Sequence, residues 1–152
     1  MTGRIWTRTG AIGLAVALWA ALAVGVPRGS AQPDRGLRII AHPGVGVDAV
    51  DERFVERVYL GKRSRWPDGT TVVPVMLKSG PVQERFVESY LDRSLSRFVN
   101  YWRQAVFTGK GVPPQAFDRE AELAAFVAAT PGAMGFWSGR TPPSGVKILT
   151  IE

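Results

Sequence analysis

Few residues in this sequence could do chemistry, and the best placed of them suit anion binding. Lys78, Ser79 and Gly80 directly precede Pro81, a residue favoured at the first position of a helix. Backbone N–H groups at a helix N-terminus can bind an anion, and a hydroxyl and an ammonium group would add to such a site. Arg85, about one turn further along, could supply a second positive charge. A capped helix start with solvated basic neighbours is the simpler interpretation of the same residues.

Catalysis has little support in the residue inventory. The sequence contains one histidine, His42, and no cysteine. A general base needs partners that orient it, and a metal site needs several suitable ligands. The sequence also lacks the short motifs of serine hydrolases, phosphate-binding loops, zinc proteases and dinucleotide-binding folds. We therefore predict a non-enzymatic protein with no catalytic residue, no cofactor and no metal site, in which His42 is structural.

A basic stretch, YLGKRSRWPDGTTVVPV at residues 59–75, raises the question of nucleic-acid binding. Such a surface usually has more basic residues and several alternating aromatic side chains. Here Lys62, Arg63 and Arg65 follow a predicted helix, and Trp66 begins a turn. We interpret the basic side chains as solvated at a helix end, expect the Trp66 ring to be buried, and predict no nucleic-acid partner.

The first 31 residues have the order of a secretory signal peptide. Two arginines, Arg4 and Arg8, precede an uncharged apolar run at residues 11–26, and small residues follow at 29–31. Sixteen apolar residues are fewer than the about 20 that span a bilayer, so we expect cleavage after Ala31 and no stable membrane insertion of the mature chain. Loss of three arginines lowers the net charge from +6 to +3. The mature protein is expected to be periplasmic or secreted.

The remaining 121 residues, 32–152, suit one domain. Hydrophobic spacing and turn residues predict the order β-α-β-α-α-α-β-β. The predicted strands cover residues 37–41, 70–76, 135–137 and 146–151, and the helices begin after Asp48, Gly80, Ser94 and Asp118. Helices between strands predict an α/β domain in which helices flank a mixed β-sheet.

Three stretches, taken in order, resemble a known family. They are VERVYLGKRSRWPDGTTVVPV at residues 55–75, ERFVESYL at 84–91 and TPGAMGFWS at 130–138. Together with residues 37–43 they are similar to the phosphate-binding proteins of ABC phosphate transporters, over nearly all of the mature chain. The resemblance implies one lobe of a type II periplasmic binding protein, the second of its two lobes. The mature length leaves no room for the other lobe, and half a cleft implies weak binding unless a partner covers the ligand.

The ligand loop departs from the family pattern. Gly80, Pro81 and Val82 align with the Ser-Gly-Thr segment that donates hydrogen bonds to phosphate in the family, and a shift of one residue brings Ser79 and Gly80 onto Ser-Gly. In that alignment Pro81, which has no N–H group, takes the place of the threonine. Lys78, Ser79, Gly80 and Arg85 are the predicted ligand-binding residues, for phosphate or another small oxyanion.

Two functions are therefore expected. The first is an exported solute-binding-like protein that binds an oxyanion weakly or with a partner, such as an ABC transporter or another envelope protein. The alternative is an envelope protein-interaction module that has lost its ligand. A ligand-dependent rise in melting temperature would favour the first, whereas a stable protein complex without such a rise would favour the second.

Overall fold

The computed structural model describes residues 36–152, so the predicted signal peptide at residues 1–31 lies outside the described residues. The strands are β1 (Arg38–Ala41), β2 (Ala49–Val50), β3 (Val73–Leu77), β4 (Gln115–Phe117), β5 (Ala133–Trp137) and β6 (Lys147–Ile151). The helices are α1 (Glu52–Tyr59), α2 (Pro81–Leu91), α3 (Leu95–Phe107) and α4 (Glu120–Ala129).

The strands form one mixed sheet in the order β2-β6-β1-β5-β3-β4. β3 is parallel to both β4 and β5, while β1 is antiparallel to β5 and β6. β3, β4 and β5 run in the same direction, so their last residues lie at one end of the sheet, which we call the carboxyl end. The first residues of the same strands lie at the opposite end, the amino end.

Helices cover both faces of the sheet. A Cβ atom on Gly135 would lie 2.6 Å from Leu123 of α4, so this side of β5 faces α4 at close range. The next residue, Phe136, points to the other face and stacks on Phe86 of α2 with 4.2 Å between ring centroids. α1 and α2 pack together on that face, and α3 packs on α2. The predicted class, a mixed sheet flanked by helices, is confirmed.

A buried tyrosine joins α1 to the sheet. The Tyr59 hydroxyl donates to the carbonyl oxygens of Val75 in β3 at 2.8 Å and of Met134 in β5 at 3.3 Å. Burial raises the pKa of the Tyr59 phenol well above its usual range, because ionisation without water is costly. The group therefore stays protonated and remains a donor between two strands.

The start of α1 differs from the prediction. Asp48 was expected to cap the helix, but the cap is Asp51, whose carboxylate accepts from the Phe54 N–H. Residues 49 and 50 are extended instead, because they pair in parallel with β6 as the short strand β2. Asp48 forms an ion pair with Lys147 of β6.

The start of α4 also differs from the prediction. Asp118 was expected to cap this helix, but Arg119 occupies the cap position without a side-chain hydrogen bond. Residues 115–117 form the edge strand β4 beside β3, and this pairing directs Asp118 toward β3. The predicted order therefore lacked two short strands, β2 and β4.

Other predicted helix ends are confirmed. Ser94 caps α3 and accepts from the Arg97 N–H, and Pro81 is the first residue of α2. α1 ends at Tyr59 with Leu60 as its C-cap, after which the Gly61 and Lys62 N–H groups bond back to carbonyls of the last turn. Trp66 is buried, as expected, and its indole N–H donates to the Gly132 carbonyl at 3.0 Å.

Candidate functional site at the carboxyl end of the sheet

The predicted anion loop lies at the carboxyl end of the sheet, between β3 and α2. Lys78, Ser79 and Gly80 form the whole connection between Leu77 and Pro81. Gly80 precedes the first turn with φ +102°, a conformation that side chains rarely adopt, and a Cβ built there would meet no atom within 4 Å. The space in front of the α2 N-terminus is therefore open to solvent.

Lys78 is paired with Asp118, the residue that follows β4. Lys78 Nζ lies 2.8 Å from Asp118 Oδ2, and the two side chains are 56% and 70% exposed. The Lys78 N–H donates to the Phe117 carbonyl at 2.9 Å, which continues the pairing of the two parallel strands. Exposed ion pairs of this kind contribute about 0–1 kcal/mol, so a ligand could displace Asp118 at small cost.

A buried glutamine, which sequence reasoning missed, supports the loop from beneath. The Gln83 side chain is 1% exposed, and its Oε1 accepts from the Leu77 N–H at 3.0 Å. This bond joins the first turn of α2 to the last residue of β3, so the intervening residues 78–80 are held at both ends. The signal was its spacing, because Gln83, Val87 and Tyr90 follow the i, i+4, i+7 pattern of one buried helix face.

Arg85, the fourth predicted residue, lies apart from the other three. A Cβ on Gly36 would be 3.2 Å from an Arg85 guanidinium nitrogen, which places that group beside the chain entering β1. β5 lies between β1 and β3, so the usual strand spacing puts β1 about 10 Å from β3. The structure thus brings Lys78, Ser79 and Gly80 together and directs Arg85 toward a neighbouring part of the same end.

Carboxylates accompany the cations at this end. Residues 118–122 contain three acids and one arginine. Glu120 accepts from both the N–H and the hydroxyl of Ser138, each at 2.7 Å, and so ties α4 to the residue after β5. Arg119 bonds to Glu122, which raises the pKa of its guanidinium further. The electrostatics of this end are therefore balanced, and an anion here would depend on the Lys78 ammonium and on hydrogen-bond donors.

His42 lies at the amino end, in the turn that follows β1. Its side-chain Nδ1 accepts from the Gly44 N–H at 3.0 Å, and its backbone N–H donates to the Ala133 carbonyl at 3.0 Å. These bonds shape the turn after β1 and support the structural interpretation of this residue. Within residues 36–152 no group of three or more His, Cys, Asp or Glu side chains is arranged to hold a metal ion.

None of the helices in the described part of the chain is both long and apolar enough to cross a membrane.

Comparison with solved structures gives matches to bacterial phosphate-binding proteins. An ABC-type phosphate transport receptor from Vibrio cholerae matches with a TM-score of 0.58 and 15% identity, over 76% of this chain and 46% of that one. A phosphate ABC transporter substrate-binding protein from Clostridium perfringens, solved with bound phosphate, matches with a TM-score of 0.60 and 17% identity, over 76% and 44%. PstS from Borrelia burgdorferi matches with a TM-score of 0.58 and 12% identity, over 76% and 47%.

Comparisons with models of protein families and with curated proteins gave no match. The matched region is less than half the length of each of these three solved proteins. At such low identities the likeness shows the fold, and at that level the predicted resemblance is confirmed: this chain has the fold of part of a phosphate-transporter binding protein.

Proposed function

We propose that this protein is an exported, non-enzymatic, solute-binding-like protein that binds a small oxyanion, with phosphate as the first candidate. The fold shared with three phosphate-binding proteins is the observation that supports this proposal most strongly. The loop of residues 78–80 supports it further, because it lies at the carboxyl end of the strands, where open α/β sheets bind ligands. Its ammonium, hydroxyl and N–H groups suit an oxyanion.

The proposed site is weak on its own, for two reasons. Asp118 already holds Lys78, so an anion must compete with a carboxylate. Pro81 has no N–H, which removes one of the donors at the start of α2. We propose millimolar binding by the isolated chain and tighter binding when a partner, such as an ABC transporter or another envelope protein, covers the open side of the loop.

A thermal-shift titration with sodium phosphate tests the proposal. Phosphate at ten times the dissociation constant stabilises the folded state by about 1.4 kcal/mol, which corresponds to a rise of about 5 °C in Tm. Lys78→Ala and Ser79→Ala should each reduce this rise. Arg53→Ala, which removes an exposed charge from α1, is the matched control and should leave the rise unchanged.

A second variant examines the competing carboxylate. Asp118→Asn keeps the shape of the side chain but releases Lys78 from its ion pair. We expect phosphate to bind about 3-fold more tightly, in line with the small free energy of an exposed pair. Weaker phosphate binding by this variant, or a shift in all variants alike, would contradict the proposal. Sodium chloride at equal ionic strength controls for general salt effects.

Export is the other part of the proposal. We propose that residues 1–31 are removed as a signal peptide and that residues 32–152 act as one domain in the periplasm or outside the cell. Expression of the whole chain in a bacterial host, fractionation of its envelope and intact-mass measurement would identify the mature N-terminus. A chain that keeps residues 1–31 in the membrane fraction would contradict this part.

A further inference from the structure

A groove at the amino end of the sheet has no role in the proposed oxyanion site. It consists of two adjoining cavities of about 510 and 310 Å³, which share Gly61, Trp102 and Val112 in their walls. Val73 and Gln115, the first residues of β3 and β4, line the second cavity. This groove, which we call the Trp102 groove, therefore lies at the end of the sheet opposite Lys78. Its role is independent of the proposed oxyanion binding.

Two aromatic residues, Tyr101 and Trp102, line the groove and are held in place by the backbone around them. Cβ atoms on Gly61 and Gly111 would lie 2.8 and 3.2 Å from the Trp102 ring, so two backbone segments approach the indole closely. The indole N–H donates to the Tyr59 carbonyl at 3.1 Å, and the Tyr101 hydroxyl donates to the Leu60 carbonyl at 2.7 Å. Both polar groups of these aromatic residues are thus committed to the protein. Trp102 is 6% exposed, so little of its ring faces the groove, and the half-buried Tyr101 supplies the accessible aromatic surface.

The rim of the groove carries charge of one sign. Among the described residues that line the two cavities, Lys62, Arg63 and Lys110 are positively charged and none is an acid. Both lysines of the first cavity are exposed, and Lys62 follows α1 whereas Lys110 follows α3. This contrasts with the carboxyl end, where acids accompany the cations.

One large apolar side chain is exposed in the wall of the groove, and another directly precedes Thr108, which lines the first cavity. Val112, in its wall, is 86% exposed, and Phe107, at the end of α3, is 90% exposed. Isolated exposed apolar residues need no explanation, but apolar side chains next to a rimmed groove often mark a protein contact. A groove with an exposed apolar side chain in its wall and cations at its rim suits a chain segment that carries both an apolar anchor and carboxylates.

We propose that the Trp102 groove binds an acidic segment of a partner protein, in which a leucine or an aromatic residue is flanked by Asp or Glu. The apolar side chain packs on Val112 and Tyr101 in the walls of the groove, and the carboxylates pair with Lys62 and Lys110 at the rim. Charge complementarity selects this occupant over a basic or a purely apolar one. A segment bound in this groove would leave residues 78–80 accessible at the carboxyl end of the sheet.

Fluorescence polarisation with three labelled peptides tests this proposal. The first carries Leu-Phe between two pairs of glutamates, the second replaces the glutamates with lysines, and the third replaces Leu-Phe with Ser-Ser. We expect the first peptide to bind the purified protein at least 10-fold more tightly than the others, with quenching of Trp fluorescence. Lys62→Glu and Lys110→Glu should each weaken its binding about 10-fold, whereas Arg53→Glu, an equal charge change on α1, should not.

Several outcomes would overturn the proposal. They are equal binding of the three peptides, equal loss in the Arg53→Glu control, and no binding at millimolar peptide. If sedimentation showed a dimer that Lys62→Glu dissociates, the groove would bind a second copy of this chain and not an acidic partner segment. Vesicles of anionic lipid would assign it to a membrane surface if they bound the protein through the same lysines and the acidic peptide did not bind.

Discussion

The two ends of the sheet are built differently, although the same parallel strands form both. At the carboxyl end, polar side chains meet across loops. Lys78 meets Asp118 at exposed positions, and Glu120 meets Ser138 at half-buried ones. At the amino end, backbone segments meet buried aromatic rings, as Gly61 meets Trp102 and Gly132 meets Trp66. The carboxyl end can therefore exchange partners at low cost, whereas the amino end is part of the packed core and offers a preformed apolar surface.

Because of this difference, only the carboxyl end can respond readily to a small polar ligand. Exposed ion pairs are weak because water screens them, and an oxyanion can replace one of their members. Buried aromatic contacts cannot be replaced in this way, because opening them would expose large apolar areas. Substitutions at the amino end should therefore mainly lower the free energy of unfolding. Substitutions at the carboxyl end should mainly change the affinity for anions.

The largest contrast is expected between two glycines with positive φ. A Cβ on Gly132, before β5, would lie 2.2 Å from the Thr71 carbonyl oxygen, whereas a Cβ on Gly80 would meet nothing within 4 Å. Gly132→Ala should lower the free energy of unfolding by about 3 kcal/mol or more, because the backbone must move. Gly80→Ala should cost about 1–2 kcal/mol, from backbone strain alone.

Urea unfolding followed by Trp fluorescence measures both values. Equal losses for the two variants would show that the clash at Gly132 relaxes freely, and the contrast between the rigid and the open end would then be wrong.

A smaller effect is expected at the buried phenol. Tyr59→Phe removes the donor shared by the Val75 and Met134 carbonyls, so unfolding should become easier by about 1–2 kcal/mol. Tyr101→Phe removes a bond to Leu60 at a half-buried position, where water can replace the hydroxyl, and should cost less. Denaturant midpoints of the two variants give the comparison, and a larger loss for Tyr101→Phe would contradict it.

The exposed pair at the carboxyl end should contribute little to stability. A double-mutant cycle with Lys78→Ala and Asp118→Ala should give a coupling energy of about 0.2–1 kcal/mol, falling with added salt. A coupling of several kcal/mol would show that this end is as rigid as the other, and that Asp118 is not readily displaced by a ligand.

The smallest effect concerns pH and the turn after Trp66. Asp68 accepts bonds from the Thr70 hydroxyl and N–H and from the Gly46 N–H, and these bonds lower the pKa of its carboxyl group. A lowered folded-state pKa contributes stability above the unfolded value of about 3.9, and this contribution is lost as the pH falls through the folded value. The Tm difference between wild type and Asp68→Asn should therefore shrink between pH 5 and pH 2. A difference that grows on acidification would contradict this assignment.

The sequence predicted the long elements well because their patterns are local. The inner face of α2 and the Ser94 cap of α3 can be recognised from neighbouring residues. β2 and β4 have only two and three residues, too few for a periodic signal, and their pairing with β6 and β3 is a tertiary event. Asp118 was predicted to be a helix cap because its partner in the structure, Lys78, is 40 positions away in the sequence and gives no local signal.

The two candidate sites were less predictable from the sequence than the long helices and strands. Lys78, Ser79 and Gly80 were predicted as neighbours because they are consecutive, and the direction of Arg85 toward Gly36 depends on how α2 crosses the sheet. The Trp102 groove combines residues that are far apart in the chain, and each of its glycines looks like an ordinary helix end or loop residue. Only the packing of α1, α3 and β3 shows that they form one surface.

Nitrogen-15 NMR of the purified protein during a sodium phosphate titration tests the central claim most directly. We predict saturable shifts of the Ser79 and Gly80 amide signals at millimolar phosphate, larger in Asp118→Asn, while the Gly61 and Val112 signals stay in place. Saturable shifts at Gly61 and Val112 without changes at residues 78–80, or no saturable shift at either end, would contradict the proposal that the carboxyl end binds an oxyanion.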